Sequence, residues 1–148
     1  MANETVYSDF KPTCSALRFR KAARRVTQIY DQLLEPYGLT ITQYGLLGHL
    51  RHFDGISVGA LAEKLVMDPT TLTRNLRPLE RQGYVVLTQD DQDRRSRKLC
   101  LTDAGRKKHA AARPGWQAAQ DRIADVLGPD DSALMAVTID RMIEDLRD

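Results

Sequence analysis

The apolar positions of this chain recur mainly at intervals of one, three and four residues, which is the spacing of amphipathic helices. In the N-terminal part this pattern extends from Phe19 to Leu34. Pro36 and Gly38 follow directly, and both residue types end helices. A long first helix is therefore predicted from about Thr13 to Glu35.

Three further helices are predicted on either side of the centre of the chain. One runs from about Thr42 to Phe53, with Thr42 as its N-cap. Another begins at the Thr102-Asp103 cap and is interrupted at Pro114-Gly115, because proline removes a helical hydrogen bond. The last runs from Asp130 to about Leu146.

Between these helices, the stretch from Ser57 to Gly105 contains two short helical patterns and a basic hairpin. The second pattern starts at Asp68-Pro69, a good N-cap followed by a proline suited to the first helical position. At roughly 100° per residue, its three leucines fall within one narrow stripe. They are Leu72, Leu76 and Leu79. The opposite side carries Thr70, Thr73, Arg74, Arg77 and Arg81.

A helix with one apolar and one cationic face is suited to the major groove of DNA, where hydroxyls and arginines reach phosphates and guanine edges. Arg74 and Arg77 are the predicted base-reading residues. Pro78 lies inside this helix and should bend it, which affects how Arg77 and Arg81 are presented. The alternative interpretation is an ordinary solvated helix face.

The hairpin that follows this helix favours the DNA-binding interpretation over that of an ordinary solvated helix face. Gly83 ends the helix, Tyr84 to Leu87 is typical of a strand, and Arg97 to Leu101 returns as a second strand. The polar turn is predicted from Gln89 to Asp93, and Asp93-Arg94-Arg95 lies between the strands. An arginine at an exposed hairpin tip can enter the minor groove, and an acid two residues before it can hold it in position.

This order of elements resembles the MarR family of bacterial winged-helix transcriptional regulators, over nearly the whole chain. The matching segments are Ser57–Leu65, Asp68–Arg74, Leu79–Val85, Asp93–Arg95 and Leu101–Gly105. The resemblance implies a mainly α fold with a winged helix-turn-helix head and a small β-hairpin wing. It divides a single domain, residues 1–148, into dimerisation helices at 12–35 and 103–148 and a DNA-binding head at 42–101.

The resemblance also implies which residues meet DNA and ligand. Arg95 would enter the minor groove with Asp93 as its brace and Arg94 beside it. The residues facing the major groove would be Thr70, Thr71, Thr73, Arg74 and Arg77. A small effector, usually an aromatic or phenolic acid, would bind between the head and the dimer helices. Residues of the right types to line such a pocket are Arg20, Arg24, Tyr37 and Tyr44.

Composition and charge fit a cytoplasmic DNA-binding domain. The 148 residues are 42% hydrophobic and 28% charged, with no apolar run near the ~20 residues that a membrane helix needs. Glu4 and Asp9 come early with no apolar block after them, so no secretory signal is expected. The net charge of +2 conceals ten Lys or Arg against five acids in residues 69–108, and three Arg against eight acids in residues 116–148. Only the centre is suited to a phosphate backbone.

The terminal helices predict a homodimer, because helices this long cannot all bury their apolar stripes against one small head. The last helix carries a stripe at intervals of four, three and four, formed by Met135, Ile139, Met142 and Leu146. A twofold dimer would place two recognition helices about one DNA turn apart, roughly 34 Å, on an inverted-repeat site. The alternative is a private bundle within one chain.

Cys14 is the candidate for redox chemistry, because the helix dipole and Arg18 one turn on would favour its thiolate form. The alternative is a packed or idle cysteine at a dimer interface. Cys14 and Cys100 have no paired spacing, which argues against a disulfide framework and a zinc site. His49 and His52 are three residues apart on one helix, but no neighbouring acid or cysteine completes a metal site.

No enzyme and no cofactor is predicted, since Gly55 to Gly59 lacks the spacing of a serine elbow and no other nucleophile has a base beside it. The leading hypothesis is a homodimeric, sequence-specific DNA-binding regulator, a repressor released by an aromatic ligand or by oxidation. The first alternative is a winged-helix module that docks a protein partner without reading an operator, although the cationic face has few aromatic anchors for one. A thiol enzyme built on Cys14 is the second.

Overall fold

The computed structural model describes residues 13–147. The segment with Glu4 and Asp9, and the first residue of the predicted dimerisation helix 12–35, lie outside the described residues. The elements are α1 (Ser15–Leu34), α2 (Ile41–His52), β1 (Ile56–Ser57), α3 (Val58–Lys64), α4 (Pro69–Arg81), β2 (Val85–Gln89), β3 (Arg97–Leu101), α5 (Asp103–Leu127) and α6 (Pro129–Asp145). The predicted mainly α fold with a small β wing is confirmed.

The first helix ends where the sequence predicts. After Leu34 one turn of 3-10 helix leads to Gly38, whose left-handed φ of 69° reverses the chain. The Tyr30 hydroxyl is hydrogen-bonded to the side-chain amide oxygen of Gln120, and the Leu33 carbonyl lies against Gly115. Helices α1 and α5 are therefore packed antiparallel.

The start of α2 differs from the prediction by two residues. The Thr40 Oγ1 accepts a 3.2 Å hydrogen bond from the Gln43 backbone N–H, and the Gln43 side chain accepts one of 3.0 Å from the Thr40 N–H. This reciprocal capping box satisfies two backbone donors at once. The predicted cap at Thr42 is wrong, because Thr42 lies within the first turn of the helix.

The two central helices form as predicted. The Ser57 Oγ accepts the backbone N–H of Ala60 at the start of α3, at 3.1 Å. The Asp68 carboxylate does the same for Thr71 at the start of α4, also at 3.1 Å. The leucine stripe of α4 is buried, with at most 1% of each side chain exposed: Leu72, Leu76 and Leu79.

The wing is part of a three-stranded antiparallel sheet in the order β1-β3-β2. The predicted hairpin is confirmed, with Val85 opposite Leu101 and Gln89 opposite Arg97. Strand β2 continues to Gln89, so the turn lies later than the predicted Gln89 to Asp93. The third strand, Ile56–Ser57, pairs with Leu99 and Lys98 and was not predicted.

Helix α5 is continuous over 25 residues, so the predicted interruption at Pro114-Gly115 is wrong. Proline removes a single N–H donor, and packing on α1 holds the helix together at this point. Gly115 is buried, and any side chain there would overlap the Leu33 carbonyl and the Tyr37 ring. The predicted cap is confirmed, because Thr102 Oγ1 accepts the N–H of Gly105 at 3.0 Å. None of the described helices combines the length and apolar character needed to cross a membrane.

Candidate nucleic-acid interface

The outward face of α4 presents two exposed arginines, Arg74 and Arg77. Within residues 13–147 neither takes part in an ion pair. The hydroxyls beside them are partly engaged, since Thr73 Oγ1 donates to the Pro69 carbonyl at 2.9 Å. Thr71 Oγ1 lies 3.4 Å from the Asp68 carboxylate. Both guanidinium groups are therefore available for contact with another molecule.

Helix α4 continues through Pro78, whose carbonyl accepts the N–H of Gln82 at 3.1 Å. The proline follows Arg77 directly and its side chain is half-buried. Arg81, on the far side of the proline, is exposed as well. The cationic face therefore extends along the whole helix, and Thr70 lies at its exposed N-terminal end.

The tip of the wing is organised by Asp93. Its carboxylate Oδ1 accepts the backbone N–H of Arg95 at 3.0 Å, and its carbonyl accepts the N–H of Ser96 at 3.0 Å. The Gln89 side chain donates to the Arg94 carbonyl at 3.0 Å. The acid thus contacts the backbone of the arginine it was expected to brace, and both arginine side chains remain exposed.

Asp90 fixes the base of the wing loop and was not identified from the sequence. Its carboxylate accepts the N–H of Gln92 at 3.0 Å and pairs with Lys98 Nζ at 3.5 Å. Its own N–H donates to the Ser96 carbonyl at 3.1 Å. The Gln92 N–H, with the Lys98 ammonium, holds the pKa of the Asp90 carboxyl below its ordinary value. The only signal in the sequence is an acid and a lysine on the two sides of the polar turn.

The structure brings α4 and the wing together across one open groove of about 430 Å³. Thr73 lines it from α4, Val58 and Gly59 line it from the start of α3, and Asp93 and Arg95 line it from the wing. A second concavity of about 480 Å³ lies on the wing itself, lined by Arg94, Arg95 and Arg97 among others. Residues expected to face two different DNA grooves therefore border one continuous surface.

A separate cavity of about 670 Å³ lies between α2 and α5. Tyr44 forms one wall, with its ring stacked on His109 at 4.4 Å between centroids and on Trp116 at 6.0 Å. Arg51 and Arg113 add two cations to the lining. An aromatic wall beside two guanidinium groups is suited to a ring that carries an anionic group.

Burial shifts the pKa values of two residues that line this cavity, Tyr44 and His109. It raises the pKa of the Tyr44 hydroxyl, against the pull of Arg113 and Arg51. It lowers the pKa of His109, and the neighbouring charges of Arg51, His52 and Arg113 lower it further. The Nδ1 atom of His109 is buried without a hydrogen-bond partner in the described part of the chain.

Of the four residues predicted to line a ligand pocket, Tyr44 alone contributes to this cavity. Tyr37 is half-buried beside Gly115, and Arg20 and Arg24 are exposed on α1. The residues that sequence reasoning missed share one helix face of α5, at intervals of four and three, and that spacing was a usable signal. They are His109, Arg113 and Trp116.

The remaining candidates are dispersed. The Nδ1 of His49 lies 2.8 Å from the Gly45 carbonyl, and His52 is exposed. No cluster of three metal-ligating side chains occurs among residues 13–147. Cys14 is exposed at the N-cap of α1, and Cys100 is half-buried in β3.

Comparison with known proteins gives the same family as the sequence motifs. The model of the MarR family matches residues 37–96. The transcriptional regulator SarZ of Staphylococcus epidermidis is 32% identical over 88 residues, which is 60% of this chain and 60% of SarZ. SarZ of Staphylococcus aureus is 31% identical over the same share. The chain thus spans about 60% of the length of the curated relatives that it matches.

Solved structures match over more of the chain. MosR of M. tuberculosis in complex with DNA superposes with a TM-score of 0.78 at 30% identity, covering 90% of this chain and 98% of MosR. MepR of S. aureus, also with DNA, has a TM-score of 0.77 at 26% identity, covering 91% and 100%. The repressor CouR bound to a 23-mer DNA duplex has a TM-score of 0.81 at 26% identity, covering 91% and 99%.

Proposed function

The chain belongs to the MarR family of winged-helix transcriptional regulators, and from that premise we propose that it is a homodimeric, sequence-specific regulator that binds double-stranded DNA. The observation that carries this proposal is the groove between α4 and the wing, which is lined by Thr73 of α4 and by Arg95 of the wing. Arg74 and Arg77 are exposed on the same helix as Thr73. The DNA complexes of MosR, MepR and CouR support it, since these chains share the fold at 26–30% identity.

In the proposed complex, α4 enters the major groove. Arg74 and Arg77 contact base edges, where a bidentate arginine–guanine pair contributes about 1–3 kcal/mol of discrimination. Thr70, Thr71 and Thr73 lie on the N-terminal part of the helix and contact phosphates or bases nearby. The wing then places Arg95 in the adjacent minor groove, with Arg94 on the backbone beside it.

High affinity for an operator requires two DNA-binding heads. The terminal helices are proposed to pair two copies of the chain, so that the dimer carries both heads. The resulting site is an inverted repeat with half-sites about 34 Å apart. Exposed apolar side chains on the terminal helices support the pairing, with Phe19 44% exposed on α1 and Val137 67% exposed on α6. Repression follows when such a site overlaps a promoter.

The cavity between α2 and α5 is the proposed effector site. An aromatic acid would place its ring against Tyr44 and its carboxylate near Arg51 and Arg113. Because α2 belongs to the head and α5 continues into the terminal region, a ligand wedged between them changes the spacing of two heads. The ligand lowers operator affinity only if it binds more tightly to the form of the dimer whose head spacing does not fit DNA.

Oxidation is the second proposed route of release, through the exposed thiol of Cys14. Peroxide treatment of the DNA-bound protein should release wild-type protein and spare a Cys14→Ser variant. Equal release of both proteins would remove Cys14 from the regulation.

The decisive test is retention of fragmented genomic DNA by the purified, reduced protein, followed by sequencing. We expect enrichment of an inverted repeat with half-sites about one turn apart. The Arg74→Ala variant should bind the recovered site roughly 5- to 150-fold more weakly and discriminate less between bases. Arg122→Ala, which removes the same charge from an exposed position of α5, is the matched control.

Two results would contradict the proposal. Recovery of no common motif under reducing, moderate-salt conditions would favour a winged-helix module that docks a protein. An Arg74→Ala variant with unchanged affinity and unchanged site preference would remove Arg74 from base reading, and the search would move to Arg77.

A further inference from the structure

Helix α2 has two glycines in its interior, and both lie on the side that borders α5. Gly45 and Gly48 line the cavity of about 670 Å³ between the two helices. At roughly 100° per residue, they share a stripe about 60° wide with Ile41 and His52. The middle of the cavity-facing side of α2 therefore carries no side chain.

These glycines are unfavourable for the helix itself. Glycine loses more backbone freedom on folding than alanine does, so a glycine inside a helix lowers its stability. Alanine would fit at Gly45, because no packing neighbour lies within 4 Å of the position that its Cβ would take. Packing within the described chain therefore does not require a glycine at this position.

Gly48 has a different environment, because His109 of α5 occupies the space beside it. The Nε2 atom of His109 lies 3.2 Å from the place of a Cβ on Gly48, which is closer than an ordinary contact. The His109 ring stacks on Tyr44 at 4.4 Å between centroids, and its Nδ1 atom has no hydrogen-bond partner in residues 13–147. Contact with Tyr44 and with the bare backbone of Gly48 therefore holds this ring in position.

The rest of the lining restricts what the cavity can bind. Tyr44 and Trp116 supply stacked rings, and Arg51 and Arg113 supply positive charges. None of the described residues that line the cavity is an acid. A planar ring with an anionic group can contact the bare backbone of α2 over its whole face, whereas a puckered ring of the same size cannot.

We propose that Gly45 and Gly48 determine which ligands the cavity accepts. The bare backbone at Gly45 is the surface on which a planar aromatic acid lies, and Gly48 leaves the space that holds His109 beside that acid. The inference rests on the proposed effector site, and it adds the shape of the ligand and the two positions that select it. Two positions of α2 are thus suited to ligand binding rather than to helix stability.

The fluorescence of Trp116 measures occupancy of the cavity. Trp116 is the only tryptophan of the chain and lines the cavity, so no other tryptophan contributes to the signal. Benzoate and cyclohexanecarboxylate are the probes, because they carry the same charge, have similar sizes and differ in planarity. The wild-type protein should bind benzoate roughly 2- to 13-fold more tightly, which corresponds to the contribution of a stacked aromatic pair.

Gly45→Ala tests the bare surface. It should weaken benzoate binding at least about fivefold, because the added methyl group takes the space of the ring. The same variant should unfold at a higher urea concentration than wild type, since alanine is the better helix former. A loss of binding in a more stable protein cannot come from unfolding. Gly59→Ala is the matched control for benzoate binding, because it makes the same change in open space on α3, outside this cavity.

Gly48→Ala tests the position of His109. The added methyl group should displace the imidazole ring and weaken benzoate binding at least about fivefold. In a His109→Ala background the ring is absent, so Gly48→Ala should then change benzoate binding by less than about twofold. Equal effects of Gly48→Ala in the two backgrounds would show that this glycine does not act through His109, and would overturn that part of the proposal.

The outcomes separate this inference from the proposed function. Operator binding by a wild-type protein whose Trp116 fluorescence does not respond to millimolar benzoate would overturn the inference and the effector site, but not the DNA-binding proposal. Equal affinity for benzoate and cyclohexanecarboxylate would overturn the selection of planar ligands. Wild-type benzoate affinity in Gly45→Ala would overturn the role of Gly45. The expected benzoate selectivity in a protein that retains no operator would support the inference and contradict the proposed regulator.

Discussion

The contact between Asp93 and Arg95 gives a sharp prediction about the wing. The Asp93 carboxylate accepts the backbone N–H of Arg95 at 3.0 Å, so an acceptor at this position orders the tip of the loop. Asp93→Ala removes the acceptor, whereas Asp93→Asn keeps one and removes the negative charge. The two variants therefore separate a hydrogen-bonding role from an electrostatic one.

The magnitude follows from the single hydrogen bond that is lost. Such a bond contributes about 0.5–1.5 kcal/mol, which corresponds to a roughly 2- to 13-fold loss of operator affinity if the wing must be ordered to bind. Asp93→Asn should bind within about twofold of wild type, because the amide oxygen accepts the same N–H. Losing a negative charge near phosphate would at most tighten binding.

Fluorescence anisotropy with the recovered operator, at one fixed salt concentration, measures all three proteins. Arg95→Ala sets the largest loss of operator affinity expected from disorder of the loop. The reason is that ordering the loop strengthens binding only while the Arg95 side chain is present. The double variant Asp93→Ala/Arg95→Ala should bind no more weakly than Arg95→Ala alone. If Asp93→Asn binds as weakly as Asp93→Ala, the carboxylate acts through its charge and the backbone contact is incidental.

Three further predictions concern packing, titration and the cavity. Gly115→Ala should lower the free energy of unfolding by about 1–3 kcal/mol, because a methyl group there overlaps the α1 backbone. Gly59→Ala, with open space around it, should raise the free energy of unfolding by about 0.5–1 kcal/mol. Urea unfolding at fixed protein concentration measures both, and equal signs would refute the close approach. The lowered pKa of His109 means that the unfolded chain binds more protons below the ordinary value of 6.5, so stability should fall as the pH drops below about 6.5. The fall should be smaller in His109→Gln, and parallel pH profiles would contradict this. Arg113→Ala should weaken calorimetric binding of benzoate while Arg122→Ala does not, and equal binding by both would remove Arg113 from the anion site.

Local signals were sufficient where a few neighbouring residues decide the structure. Asp68-Pro69 predicted the start of α4, and Thr102 predicted the start of α5, because a cap depends on residues within one turn. The error at α2 was avoidable, since Thr40 with Gln43 three residues later is the capping-box pattern, and Thr42 has no such partner.

Non-local packing accounts for the features that were missed. Strand β1 has two residues, and its pairing with Leu99 depends on a strand about forty positions later. The interruption at Pro114 was predicted from the helix alone, whereas contact with α1 keeps the helix continuous. The lining of the cavity between α2 and α5 also depends on packing between distant segments. Arg20 was predicted by residue type and does not line this cavity, whereas His109 and Arg113 of α5 do.

Helix α5 connects the wing, the cavity between α2 and α5, and helix α1. Near its start Gly105 lies against the Tyr84 carbonyl, which ties the helix to the strand that leads into the wing. About one and two turns later His109 and Arg113 line the cavity, and further along Gln120 is hydrogen-bonded to Tyr30 of α1. Because the helix has no break at Pro114, a displacement at the cavity is carried in both directions by a rigid element. An effector that moved α5 relative to α2 would therefore change the angles of the wing and of α1 together, which is the coupling that the proposed release from DNA requires.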